Sequence, residues 1–82
     1  MAERRKIMTY NIRIQSPEHA QKLNRIAEKY PYEIWIHGKS GYADAKSLLG
    51  LMLLTLESEL KLVVGDEIDA KALVKDLEDY IV

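Results

Sequence analysis

Ser16 and Ser47 stand where helices are expected to begin, and a hydroxyl at such a point faces backbone N–H groups that have no partner inside the helix. Ser47 follows Lys46 and precedes Leu48, Leu49, Leu51, Met52, Leu53 and Leu54, with Gly50 among them. Its oxygen can accept a hydrogen bond from the first turn, Lys46 adds positive charge beside it, and a phosphate is at home at such a helix end. The six apolar residues exceed the roughly 100° stripe that a helix hides on a core. Either some face outward as a small apolar patch that marks an interaction site, or the helix is short and tightly buried. Ser16 is followed by Pro17, whose missing N–H is harmless at a first helical position, and by Glu18, which favours the positive end of the helix dipole. The two histidines, His19 and His37, fall on different predicted elements without a third ligand, so no metal is expected. The carboxylates belong to helix exteriors and turns, and neither a glycine-rich phosphate loop nor a nucleophile motif occurs. No cofactor and no enzymatic activity are therefore expected.

Composition narrows the classes further. The absence of cysteine excludes disulfides, thiolate zinc sites and cysteine nucleophiles. Twelve basic and thirteen acidic residues, spread along the chain for a net charge of −1, leave no electrostatic footprint for nucleic acid, and Arg4, Arg5 and Lys6 read as a solvated end. The charged start leads into an alternating segment instead of an apolar leader, and the longest apolar run is far below the ~18 residues of a membrane span. A cytoplasmic protein without membrane contact is expected. Eighty-two residues make one domain, spanning 1–82, able to bury roughly 60% of its unfolded surface.

The elements that must position these side chains follow from periodicity. Met8, Tyr10, Ile12 and Ile14 alternate with polar residues as a strand with one buried face. A helix from Ser16 carries the stripe Ala20, Leu23, Ile26, Ala27 and Tyr30 and must stop near Pro31. Tyr32 to His37 reads as a second strand, with Tyr32, Ile34 and Ile36 on one face, and Gly38 to Gly41 turns the chain into a short third strand, Tyr42 to Ala45. This hairpin sets Trp35, His37, Tyr42 and Asp44 on the opposite, solvent-facing side, where Trp35 and Tyr42 offer a surface for a partner or for weak self-association. The acidic neighbours Glu33 and Asp44 argue against RNA there. After the helix from Ser47, Glu57-Ser58-Glu59 is a polar link into Leu60 to Val64, a fourth strand. Asp66, with Asp69 as a capping partner, opens a last helix on Ala70, Leu73, Val74, Leu77 and Ile81. The order β-α-β-β-α-β-α gives an α+β open-faced β-sandwich: a four-stranded antiparallel sheet with helices on one face.

That order, with its short helix introduced by Ala45-Lys46-Ser47-Leu48-Leu49-Gly50-Leu51-Met52, resembles the HPr phosphocarrier family of the bacterial sugar phosphotransferase system. The resemblance covers nearly the whole chain. It is strongest from Glu33-Ile34 through Gly38-Lys39 to Met52 and continues more loosely with Asp69, Ala72 and Leu77.

The resemblance implies a phosphoryl group carried on a histidine that caps the first helix, within a Gly-Leu-His-Ala-Arg-Pro-like motif whose arginine helps hold the phosphate. This sequence departs there. Counting back without a gap places Ser16 at the histidine position and Glu18 at the arginine position, with a shorter preceding loop. A serine ester lacks the transfer potential of a phosphoimidazole, and a glutamate repels the phosphate that an arginine attracts. His19 is the alternative carrier: its distance from the first strand suits, but aligning on it throws the helix stripe out of register and sets the uncharged Gln21 at the arginine position. The resemblance implies that Ser47 matches the serine that a dedicated kinase phosphorylates in many Gram-positive relatives, and that a branch without the active-site histidine retains. The resemblance implies Lys46, Leu48, Leu49 and Met52 as the docking surface beside it. It implies protein partners as well: phosphotransferase-system enzymes, a serine kinase or a transcriptional regulator. Without modification, Ser47 is a helix cap worth ~1 kcal/mol.

Overall fold

The computed structural model describes residues 7–55, 57–65 and 69–82. Strand β1 (Ile7–Ile12) is followed by helix α1 (Pro17–Glu28), the hairpin β2 (Trp35–His37) and β3 (Tyr42–Asp44), helix α2 (Leu48–Leu54), strand β4 (Leu60–Gly65) and helix α3 (Lys71–Asp76). The strands form one sheet in the order β1-β4-β2-β3, with each neighbouring pair antiparallel. This is the expected α+β open-faced sandwich.

Alternation decides what is buried. In β4, Leu60, Leu62 and Val64 turn under the helices, joined by Ile12 and Ile36 from the other strands, by Ile14 just after β1 and by Ala20, Leu23 and Ala27 from α1. Asn24, buried on the same helix, was not expected among them. Val63 is also buried, yet it lies outside this core, between Thr9 and Trp35 on the uncovered face of the sheet.

Several boundaries differ from the sequence reading, each for a local reason. Regular β1 pairing stops at Ile12, although Ile14 stays buried, while Met8 reaches the sheet's far end and is exposed. Regular pairing in β2 with β3 and β4 covers residues 35–37, and before it only the Ile34 carbonyl reaches across, accepting the Ala45 N–H at 2.9 Å. Helix α3 ends at Asp76. Ile81 then bridges back to Ile12 as a strand partner, and Tyr80 points into the core. The cap of α3 is Ala70, with Asp69 Oδ1 accepting the Lys71 N–H at 3.2 Å, and Asp66 lies outside the described residues. The end of α1 is tied to α3 by the Tyr30 hydroxyl, which donates to Asp76 Oδ2 at 2.6 Å, so that this phenol is pushed up to about 12. Among the described residues, no helix is long and apolar enough to cross a membrane.

The link read as merely polar has a structural task. The Glu57 carboxylate accepts hydrogen bonds from the backbone N–H groups of Lys39, at 2.6 Å, and Ser40, at 3.3 Å, and from the Ser40 hydroxyl, fastening the β2–β3 turn to the end of α2. Gly38 makes room, since a Cβ there would come within 2.6 Å of Glu57 Oε1. These donors, the Ser40 hydroxyl foremost, hold Glu57 below its ordinary value of 4.5. A lowered carboxylate stabilises the fold fully above the ordinary carboxylate range and loses that contribution as pH falls through the lowered value. Glu57→Gln should therefore lower the melting temperature near neutral pH, with the gap from wild type closing in acid. A gap independent of pH would show that the carboxylate's charge is not what fastens the turn.

Candidate functional site

Ser16 has extended backbone (φ −161°, ψ 165°) and caps α1: its Oγ accepts the His19 N–H at 3.1 Å, and its carbonyl accepts the Ala20 N–H at 3.0 Å. Glu18 is the acidic residue of the first turn and is exposed. His19 is bound on several sides. Its Nδ1 accepts the Gln15 N–H at 3.2 Å, and its ring stacks on Tyr80 with centroids 3.8 Å apart and planes within 10°. The Tyr80 hydroxyl donates to the His19 carbonyl at 2.8 Å, and the Tyr80 carbonyl accepts from the Arg13 N–H at 2.8 Å. Burial pushes the Tyr80 phenol up, so it remains a donor there. A neutral imidazole whose Nδ1 accepts carries its proton on Nε2. Neither nitrogen then has a free lone pair for attack on phosphorus unless the Gln15 contact opens. None of these His19 contacts was foreseen, because their main partner lies 61 residues further along the chain.

The second serine opens α2 at the end of a pinned turn. Asp44 Oδ1 accepts the Lys46 N–H at 2.9 Å and the Asp44 carbonyl accepts the Ser47 N–H at 2.8 Å. From α1, the buried Asn24 donates its side-chain amide to the Ala45 carbonyl at 3.1 Å. Exposed Ser47 accepts the Gly50 N–H on Oγ at 3.3 Å. Gly50 lets the helix lie close on β3, since a Cβ there would meet that of Ala43 at 3.0 Å.

The apolar run of α2 divides by helical spacing. Leu51 and Leu54 are buried, Leu49 and Leu53 are 74% and 73% exposed, Leu48 stands at the rim, and Met52 is partly buried. Of the expected docking residues, Leu49 is thus the most open, with Leu48 and half-buried Lys46 nearby. Leu53 was not singled out, although its i,i+4 relation to Leu49 was visible in the sequence.

On the open sheet face, Tyr42 is 68% exposed, His37 is exposed and Trp35 is half-buried, with Tyr42 packed edge-on to the indole at 5.5 Å. Trp35 is thus less exposed than the sequence suggested, because Tyr42 and Glu33 close over its rim. Its Nε1–H donates to Glu33 Oε1 at 3.0 Å. Among the described residues, no three potential ligands cluster around a metal position.

Residues 18–82 match the family described as the PTS HPr component phosphorylation site, so the chain belongs to the HPr family of the phosphotransferase system. The match takes in His19 and Ser47 and begins two residues after Ser16. Among solved structures, the chain is similar to HPr-C-His from Thermoanaerobacter tengcongensis (24% identity, TM-score 0.67, covering 93% of this chain and 90% of that one). It is likewise similar to the phosphocarrier protein HPr from Bacillus anthracis (19% identity, TM-score 0.69, covering 93% and 98%). A histidine-containing phosphocarrier protein of Mycoplasma is a third (18% identity, TM-score 0.64, covering 90% and 89%). These likenesses establish the fold. No curated protein matches the chain.

The Asn24 bond joins the first helix to the turn that presents Ser47. Asn24→Ala should cost about 1–3 kcal/mol, because it leaves a buried carbonyl without its donor. Urea unfolding is the measurement, with the midpoint lowered and the slope unchanged. A loss no larger than that of an exposed helix substitution would show that water replaces the amide.

Proposed function

We propose that this HPr-family chain acts by binding protein partners and does not relay phosphate through a histidine, with Ser47 as its point of regulation and without enzymatic activity of its own. The observation that carries this reading is the state of the first helix end. The cap is a serine, the first turn contributes a glutamate, and the nearby histidine is engaged through Nδ1, its ring and its carbonyl. A phosphoryl group there would meet negative charge and no prepared imidazole.

The second helix end supports binding. Ser47 is exposed, beside Lys46 and the outward leucines Leu49 and Leu53. A phosphate on its oxygen would add about −1.5 to −2 charges next to that apolar surface, at a helix N-terminus where negative charge is favoured. Such a change alters which partner the surface fits without rebuilding the fold. The partners that membership of this family suggests are phosphotransferase-system enzymes, a serine kinase or a transcriptional regulator.

Incubation with phosphoenolpyruvate and the first enzyme of the phosphotransferase system should add no acid-labile phosphate, as read by intact mass. A phosphate mapped to His19 overturns the reading in favour of a phosphocarrier with a rearranged loop. An HPr serine kinase should label wild type and Ser16→Ala but not Ser47→Ala. Each variant loses about 1 kcal/mol with its cap. Equal labelling of wild type and Ser47→Ala would leave Ser47 as a cap alone.

A further inference from the structure

The two edges of the sheet are not alike. At one, β3 is three residues long and leads at once into the turn before α2. At the other, β1 runs for six residues, and the chain's own tail covers only its far end. There the Val82 N–H donates to the Asn11 carbonyl at 3.0 Å, the Arg13 N–H donates to the Tyr80 carbonyl at 2.8 Å, and Ile81 lies opposite Ile12 between them. These bonds fix which backbone groups face outward. Asn11 and Arg13 turn theirs away from β4, so by the two-residue period of a strand Ile7 and Thr9 do the same, while Met8 and Tyr10 bond to β4. Among the described residues, no backbone group pairs with the outward groups of Ile7 and Thr9.

Beside this free stretch, a groove of about 470 Å³ lies between β1 and α3. Its apolar lining is Met8, Tyr10, Ala70 and Val74, and Lys71 and Glu78 also border it. Met8 and Tyr10 share the covered face with Ile12, yet Met8 is exposed and Tyr10 only half-buried.

The edge and the groove call for one occupant. Outward N–H and C=O groups that recur every second residue, roughly 6.6–6.8 Å apart, are matched by the backbone of another extended chain, whose side chains fall alternately on the two faces of the sheet. Those on the covered side enter the groove beside Met8 and Tyr10. The tail already does this one step along the same edge, where it pairs as a strand and its Ile81 packs against the core. We infer that the free stretch of β1 is a docking site for an extended segment of a partner protein, one with apolar side chains at alternate positions, which continues the sheet beyond β1. The site lies at the opposite end of the sheet from β3, on which α2 packs, so a segment bound there leaves Ser47 open.

The probe is a library of peptides of about eight residues, in which varied apolar residues alternate with threonine, selected on the intact protein and read by hydrogen exchange and heteronuclear NMR up to about 1 mM. In the free protein at low concentration the Thr9 amide should exchange rapidly, and those of Met8 and Tyr10 slowly. Bound peptide should protect Thr9 and shift the side chains of Met8, Tyr10 and Val74. N-methylation of the peptide at its bonding positions should weaken binding by about tenfold or more, since it removes the main-chain donors. Thr9→Pro, which deletes an outward donor and spares the bonds to β4, should do the same, with thermal unfolding confirming that the variant is folded. Failure of every library member to protect Thr9 overturns the inference. So does a Thr9 amide already protected in the dilute protein, which makes the chain its own occupant, or protection that rises with protein concentration alone, which makes a second copy the occupant. Binding that maps to β3, or that survives both N-methylation and Thr9→Pro, overturns it as well.

Discussion

The fold depends on β4, the last strand in the chain, entering between two strands made earlier. It pairs with β1 along its whole length and with β2 through Lys61 to Val63, so it must satisfy hydrogen bonds on both edges at once. Its alternation leaves little freedom. A slip of one residue would carry Lys61 under the helices and bring Leu60, Leu62 and Val64 into water. That single register places Val63 against Trp35 and the Leu60 row beneath the helices, and so defines both the covered and the open face. Glu57, just before the strand, ties the β2–β3 turn to the same junction, so the hairpin and the central strand are held by one carboxylate.

Much of this was legible because it rests on local period. The alternation of β1 and β4, the stripe of α1 and the serine caps are written in neighbouring residues, and each element lies where those patterns put it. The ends were not legible, for they depend on what lies alongside. Tyr32 and Ile34 continue the alternation of β2, but the ladder begins at Trp35 and only the Ile34 carbonyl reaches across, accepting the Ala45 N–H at 2.9 Å. In the last helix, Leu73, Leu77 and Ile81 have helical spacing. The chain nevertheless leaves the helix to pair Ile81 with Ile12, and that turn delivers Tyr80 to the core.

The candidate site divides in the same way. The split of α2 into inward Leu51 and Leu54 and outward Leu49 and Leu53 is a matter of helical angle and follows from the sequence alone. The setting of His19 does not. A histidine one turn into a polar helix end reads as an exposed side chain, and only the return of the C-terminal segment puts Tyr80 beneath its ring. Asn24 was hidden for a related reason: a polar residue in a helical stripe reads as solvent-facing until a distant carbonyl, here that of Ala45, is seen to need its amide.

On the function proposed, the two serines illustrate how an architecture can persist while its chemistry changes. A helix cap asks only for an acceptor oxygen and an extended backbone, and Ser16 meets both demands, so α1 begins correctly whether or not phosphate is ever carried there. Phosphoryl transfer asks for more: a nucleophile with a free lone pair, positive charge around the developing phosphate, and donors aimed at its oxygens. At Ser16, on the function proposed, the demands of the fold are met by a group that does not meet those of transfer. At Ser47, on the function proposed, they coincide, because the oxygen that accepts from Gly50 is also the one to be esterified. A phosphate oxygen can take over that hydrogen bond, leaving α2 in place while the charge beside Leu49 and Leu53 changes. Regulation of this kind acts on what the surface binds without passing through the stability of the fold.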